Sequence, residues 1–171
     1  MKLRPGLMSF VVFAASLGAL PSSAHGLQDV PPIDSQAETL AIAQKNAPIN
    51  SAVRLQEHLQ SLSPDSPLRS FSVPARQRFV ASLRFNEAGV TTLRYQDIVE
   101  ELSYSEAYRV LALFGVTRVL ATLPPLRSET LDDERIRTLE GPPFHEDHYN
   151  YACTGPHTCS RSSQDICMTG C

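Results

Sequence analysis

The sequence predicts a mainly α protein: a small helical bundle, then a Pro-rich acidic linker, then a disulfide-stapled C-terminal segment. Three observations lead there. Apolar residues between positions 35 and 123 recur every three or four residues behind helix-capping signals, four prolines fall between 124 and 152, and all four cysteines lie in the final 19 residues.

The helical stretch is justified element by element. Ser35-Gln36-Ala37-Glu38 is a capping box whose side chains can satisfy the free amides of a first turn, with Leu40, Ala43 and Ala47 on one face and Pro48 as a stop. Asn50 is a second cap ahead of Leu55, Leu59 and Leu62, and Ser63-Pro64 ends that run. Ser72-Val73-Pro74 marks a third start, proline being tolerated at the first helical positions, and Phe79, Val80 and Leu83 form its inner face. Asn86 to Gly89 is a turn, and Val90 to Leu93 is briefly extended. Tyr95, Ile98, Val99 and Leu102 then follow helical spacing. Ser103-Tyr104-Ser105-Glu106 is a second capping box before Ala107, Val110, Leu111 and Phe114, with Gly115 as the stop. Val116 to Leu123 is ambiguous between short helix and strand. The Leu, Phe and Tyr stripes are explained by core packing.

Residues 124 to 152 hold few apolar anchors and a charged cluster from Glu129 to Arg137, which reads as a linker with one helical turn around Asp132 to Leu139. Beyond it lie Cys153, Cys159, Cys167 and Cys171. Four thiols allow three disulfide connectivities. Cys167 and Cys171 are one helical turn apart, so on a helix both could reach back to Cys153 and Cys159, which favours two nonlocal bridges over two adjacent-pair loops. The order C-x5-C-x7-C-x3-C matches no zinc signature, which favours ligands two to four residues apart, and the redox-active C-x-x-C is absent. The expected cofactor and metal complement is none.

The N-terminus agrees with an oxidising address for those cysteines. Lys2 and Arg4 precede an uncharged run from Leu7 to Leu20, and Pro21-Ser22-Ser23-Ala24 supplies small residues for a signal peptidase. The run falls short of the ~20 apolar residues of a membrane span. The expected organisation is therefore a signal peptide over 1–24, an extended arm over 25–34, a helical domain over 35–123, a linker over 124–152 and a Cys-rich tail over 153–171. The product is exported, periplasmic or extracellular, with no transmembrane segment left after cleavage.

Charge separates along the chain. Between Ser66 and Arg94 stand five arginines, Arg69, Arg76, Arg78, Arg84 and Arg94, against Glu87 alone, whereas seven acids between Glu129 and Asp147 face only Arg135 and Arg137. The arginines form a candidate patch for an anionic partner, an unknown protein or an anionic surface; the alternatives are ordinary solvated faces or an acidic linker folded over the basic surface. Cleavage after Ala24 leaves a net charge of −5, which argues against nucleic acid.

Motifs for catalysis are missing. No G-x-S-x-G elbow or phosphate-binding glycine loop occurs. His145, His148 and His157 invite a metal, but H-E-x-x-H spacing is not met and Pro142-Pro143 argues against a helix there. Aligning Gly89 with the glycine of a calcium-hand loop puts Arg84, Asn86 and Ala88 at ligand positions, which cannot hold calcium. The sequence thus points to an exported non-enzymatic binding or interaction module. The alternatives are a precursor that releases a C-terminal Cys-rich peptide, and a small metal-dependent enzyme using the three tail histidines.

Overall fold

A computed structural model describes residues 33–139, 143–144 and 146–171. The expected signal segment, the arm up to residue 32 and His145 lie outside the described residues. The expected mainly α bundle is corrected: among the described residues, six α-helices pack with a four-stranded antiparallel sheet, in a mixed architecture.

Helix α1 (Ile33–Lys45) starts two residues before the expected cap. Helix α2 (Ala52–Gln60) is capped by Ser51, whose hydroxyl accepts from the Arg54 amide, so the cap is one residue beyond Asn50. Asn50 instead donates its side-chain amide to the Lys45 carbonyl at 2.6 Å. A 3-10 turn at Pro67–Ser70 buries Leu68. Helix α3 (Val73–Ser82) begins where Ser72 and Pro74 predict, and buries Ala75 and Phe79. Phe79 stacks 5.0 Å from Phe71 and meets Phe114 edge-on at 6.0 Å.

Strands β1 (Arg84–Asn86) and β2 (Gly89–Arg94) form a tight hairpin, so the turn and brief extension expected there are the seed of the sheet. Helices α4 (Gln96–Glu101) and α5 (Tyr104–Ala112) follow. The Ser103–Glu106 capping box is present, and Ala107, Val110, Leu111 and Phe114 are all fully buried, as their spacing requires. Gly115 adopts φ +69°, and a Cβ there would lie 2.4 Å from the Ala43 carbonyl oxygen, so only glycine lets α1 approach this closely. The ambiguous Val116–Leu123 stretch becomes a 3-10 turn at Thr117–Thr122, burying Val119 and Leu120.

The larger departure lies downstream. Helix α6 (Leu131–Leu139) replaces a single expected turn and packs on α5. Strands β3 (His148–Gly155) and β4 (Thr158–Cys167) then complete a sheet of order β1-β2-β4-β3. Strand β4 is therefore interior, pairing with β2 through Thr92↔Cys167, Leu93↔Ile166 and Arg94↔Asp165. Ile166 and Met168 are fully buried within the common core beside Leu93 and Phe114. The C-terminal segment thus supplies two of the largest fully buried side chains of the core.

Strand β4 is not straight. Cys159 and Cys167 are eight residues apart, which in a straight strand spans about 26 Å, yet their Cα atoms are 6.0 Å apart. The fold-back occurs where β3 and β4 shift register after Tyr149, at Asn150 in the left-handed region (φ 65°). Its polar groups are taken up by Tyr95, whose amide donates to the Gln164 carbonyl and whose hydroxyl contacts Asn150 Oδ1 at 2.6 Å and the Ser163 carbonyl at 3.0 Å. Burial, helped by the neighbouring Tyr149 hydroxyl, pushes the Tyr95 hydroxyl well above the usual phenol range.

Among the described residues, no helix is long and apolar enough to cross a membrane.

Candidate functional site

The chain's functional groups fall into three local arrangements: a basic cluster on Asp97, a disulfide-bonded hairpin, and a cleft beside the 3-10 turn at Pro67–Ser70.

Of the five arginines expected to form a patch, the structure brings two together. Arg78 donates through Nε (2.9 Å) and Nη2 (2.5 Å) to Asp97 Oδ1, and Arg94 Nε lies 3.0 Å from Asp97 Oδ2. Asp97 is fully buried, so these two cations hold a carboxylate that α4 could not otherwise bury. Arg94 also contacts the side chains of Gln164 and Gln96, joining β2 to β4. Arg84 spends its guanidinium on the carbonyls of Ala81 and Leu83, at the free end of α3. Arg76 has no ion-pair partner among the described residues, but two residues along α3 it projects about 200° away from Arg78. Arg69 sits elsewhere, before α3.

That last position matters most. Arg69 Nε donates to the Ser63 carbonyl at 2.9 Å and Nη2 to the Leu62 carbonyl at 3.3 Å, which fixes the guanidinium plane while leaving it exposed. Its neighbours are Pro64, Asp65, Ser66, Pro67, Ser70 and Arg109, which together line a cleft of about 360 Å³. Two prolines make the wall rigid, since each locks its own φ. Arg109 reaches the cleft from the exposed face of α5, against which the 3-10 turn packs. No carboxylate pairs with Arg109 among the described residues. Glu106, three residues earlier and well placed on the helix, is taken up by the Ser103 amide (2.9 Å) and by Arg127. Behind the wall, His58 Nε2 lies 2.9 Å from the Ser66 hydroxyl. Sequence reasoning named Arg69 and passed over Arg109, Ser66 and His58. The readable signal for Arg109 was its capping box: once Glu106 is assigned to the cap, its i+3 arginine has no helical partner left.

Family models, curated proteins and solved structures were all compared. None matches this chain.

The cysteines form two disulfides, Cys153–Cys171 and Cys159–Cys167, so both later cysteines reach back to the earlier pair. The geometry behind this is a folded hairpin and not a helix: Cys167 ends β4, and Cys171 lies in the turn after it. Cys153 donates its amide to the Thr92 hydroxyl at 2.7 Å, and the His157 amide donates to the Cys171 carbonyl at 2.6 Å, so the hairpin tip is seated on β2 and on the chain end. Paired cysteines of this kind fit an oxidising compartment.

Of the tail histidines, His148 is exposed at the start of β3 with its ring 6.0 Å from Tyr151, and His157 occupies the hairpin turn at φ 56°. Asp147, next to His148 in the chain, has a fully buried side chain. It accepts from Arg118 Nε (2.8 Å) and Nη2 (3.2 Å), and from the amide and hydroxyl of Thr169 at 3.0 and 3.2 Å. Arg118 is itself nine-tenths buried and lies over the Phe144 ring at 5.7 Å. Asp147 is thereby a structural tie between the 3-10 turn at Thr117–Thr122 and the chain end.

Proposed function

We propose that the protein is an exported, non-enzymatic binding module, and that it takes an anionic group of its partner in the cleft between Arg69 and Arg109. The observation that carries this reading is the exposed guanidinium of Arg109, lacking a carboxylate partner among the described residues, in the same cleft as an immobilised Arg69. A guanidinium offers a planar fork matched to carboxylate or phosphate, and one already held by carbonyls loses little freedom on binding. Ser70 lines the same cleft, and Asp65 is its single acid against the two arginines. A cleft of this size accepts a group and not a whole surface.

Export is supported by the uncharged run from Leu7 to Leu20 and by the two disulfides. The reading as one integral module, in preference to a carrier of a released peptide, is supported by Ile166 and Met168 in the shared core. Detaching them would remove an interior strand together with its buried apolar area.

The test uses the full mature chain, with inorganic phosphate and acetate as probes, followed by NMR of the arginine side chains. Saturable shifts at Arg69 and Arg109, abolished in the Arg69→Gln/Arg109→Gln double variant, are expected. Shifts that are absent, or that persist unchanged in that variant, contradict the reading.

A further inference from the structure

We infer that the same four cysteines constitute a thiolate metal site in the chain before its disulfides form, with Zn²⁺ as the ion of matching chemistry. The inference is independent of the arginine cleft. It rests on where the sulfurs converge: the Sγ atoms of Cys153, Cys167 and Cys171, which belong to two different disulfides, all lie within 4.8 Å of one another. Cys159 is bonded to Cys167 and so adjoins the same group. A tetrahedral zinc with Zn–S bonds of about 2.3 Å needs its sulfurs about 3.8 Å apart, a spacing the three converging sulfurs approach once their S–S bonds are open, while Cys159, outside that group of three, must swing further to serve as the fourth ligand.

The convergence does not depend on the S–S bonds alone. Cys153 and Cys159 face each other as a register pair of the β3–β4 hairpin, and Cys167 is held between Thr92 on β2 and His148 on β3. Cys171 is placed by its amide, which donates a hydrogen bond to the Met168 carbonyl (3.1 Å), and by the His157 amide, which donates to its carbonyl. These contacts are made by backbone and by neighbouring strands, and they remain available to a chain whose cysteines are thiols.

The sequence spacing C-x5-C-x7-C-x3-C hides the site because short zinc spacings describe ligands on one knuckle, whereas here a folded hairpin and the chain end bring distant cysteines together.

The balance is simple. Newly made chain carries four thiols, and binding Zn²⁺ on four thiolates releases four protons. Conversion of the four thiolates to two disulfides releases the ion and passes two electrons per disulfide, four in all, to an external disulfide oxidant, whose reduced thiols take up from solvent the four protons given up on metal binding. The site would thus hold the hairpin in its native arrangement until oxidation replaces the metal with covalent links.

The test is made on the full chain, reduced with a dithiol and freed of it without air, its four thiols verified by titration. Co²⁺ serves as the spectroscopic probe, followed by Zn²⁺. The expected result is one Co²⁺ per chain, with the sulfur-to-cobalt charge-transfer band of thiolate ligation, displacement by Zn²⁺, and slowed amide exchange at Ile166 to Met168. Cys159→Ser should weaken binding at least tenfold, and Cys153→Ser/Cys171→Ser should remove the band. A verified tetrathiol chain that gives no band overturns the inference. So does a band that survives in the double variant, or one that forms without any protection of the hairpin amides.

Discussion

The helical body up to Leu123 and the segment after it are held together by different forces. In the body, Ala75, Phe79, Ala107, Val110, Leu111 and Phe114 are all fully buried, and stability comes from apolar area removed from water. After Leu123 the buried apolar side chains thin out to a few, Leu126, Ile166 and Met168 among them. In their place stand two disulfides and two buried carboxylates, Asp133 and Asp147. Asp133 accepts from the amides of Ser105 (2.7 Å), Glu129 (3.1 Å) and Thr130 (2.9 Å), which ties the start of α6 to the first turn of α5. Asp147 does the same for the chain end through Arg118 and Thr169. A segment poor in apolar residues thus joins a common core by covalent links and by carboxylates that satisfy otherwise unpaired donors.

The contrast predicts where damage will be greatest. Asp147→Ala strands the buried Arg118 without its partner and should cost about 3–5 kcal/mol in denaturant unfolding. Removing the Cys153–Cys171 link as paired serines should cost about 3 kcal/mol, and removing Cys159–Cys167, which closes a shorter loop, about 2.5 kcal/mol. Equal losses from a reductant on wild type and on the double-disulfide variant would refute the covalent contribution. Asp133→Asn should cost about 2 kcal/mol near neutral pH, since several donors lose a charged acceptor.

Acid provides a finer probe of the same residue. Burial alone would raise the Asp133 pKa, but the Ser105 amide, with further hydrogen bonds from Ser103, Thr130 and the Glu129 amide, holds it well below the usual carboxylate range. A depressed folded pKa means that its stabilising contribution is complete above the unfolded value of about 4 and declines as pH falls towards the folded one. Wild type should therefore lose stability more steeply below pH ~4 than Asp133→Asn does. In the body the smallest change is expected from Ser103→Ala, about 1 kcal/mol for a lost cap.

The two regions were also unequally legible. In the body, local signals and tertiary structure agree: Ser72-Val73-Pro74 and Ser103–Glu106 start helices, and the i, i+3, i+4, i+7 run from Ala107 to Phe114 is the buried face. The C-terminal region defeats the same reading because its strands carry few apolar residues and no sustained alternation. Strand β4 reads Thr-Cys-Ser-Arg-Ser-Ser-Gln-Asp-Ile-Cys, and only its last residues enter the core. Its pairing partner on β2 lies some seventy residues earlier, a long-range contact that no local pattern encodes. The i, i+4 spacing of Cys167 and Cys171 suggested a helix, yet the disulfides follow from a folded hairpin. For the candidate site, Arg69 was legible as part of a basic run. Arg109 was legible only through the Ser103–Glu106 capping box, whose consequence, an i+3 arginine left without a helical carboxylate, emerges fully once side-chain partners are assigned.

The most direct test of this account is amide hydrogen exchange on the oxidised full chain. The Met168 amide donates to the Thr91 carbonyl and the Tyr95 amide to the Gln164 carbonyl, both at 2.9 Å across the junction of β2 and β4. If β4 is an interior strand of one cooperative unit, these amides should exchange as slowly as those of Val110 and Leu111 in α5, with the same denaturant dependence. Rapid exchange at Met168 while α5 stays protected would mean that the C-terminal segment is an appendage, and would contradict the account.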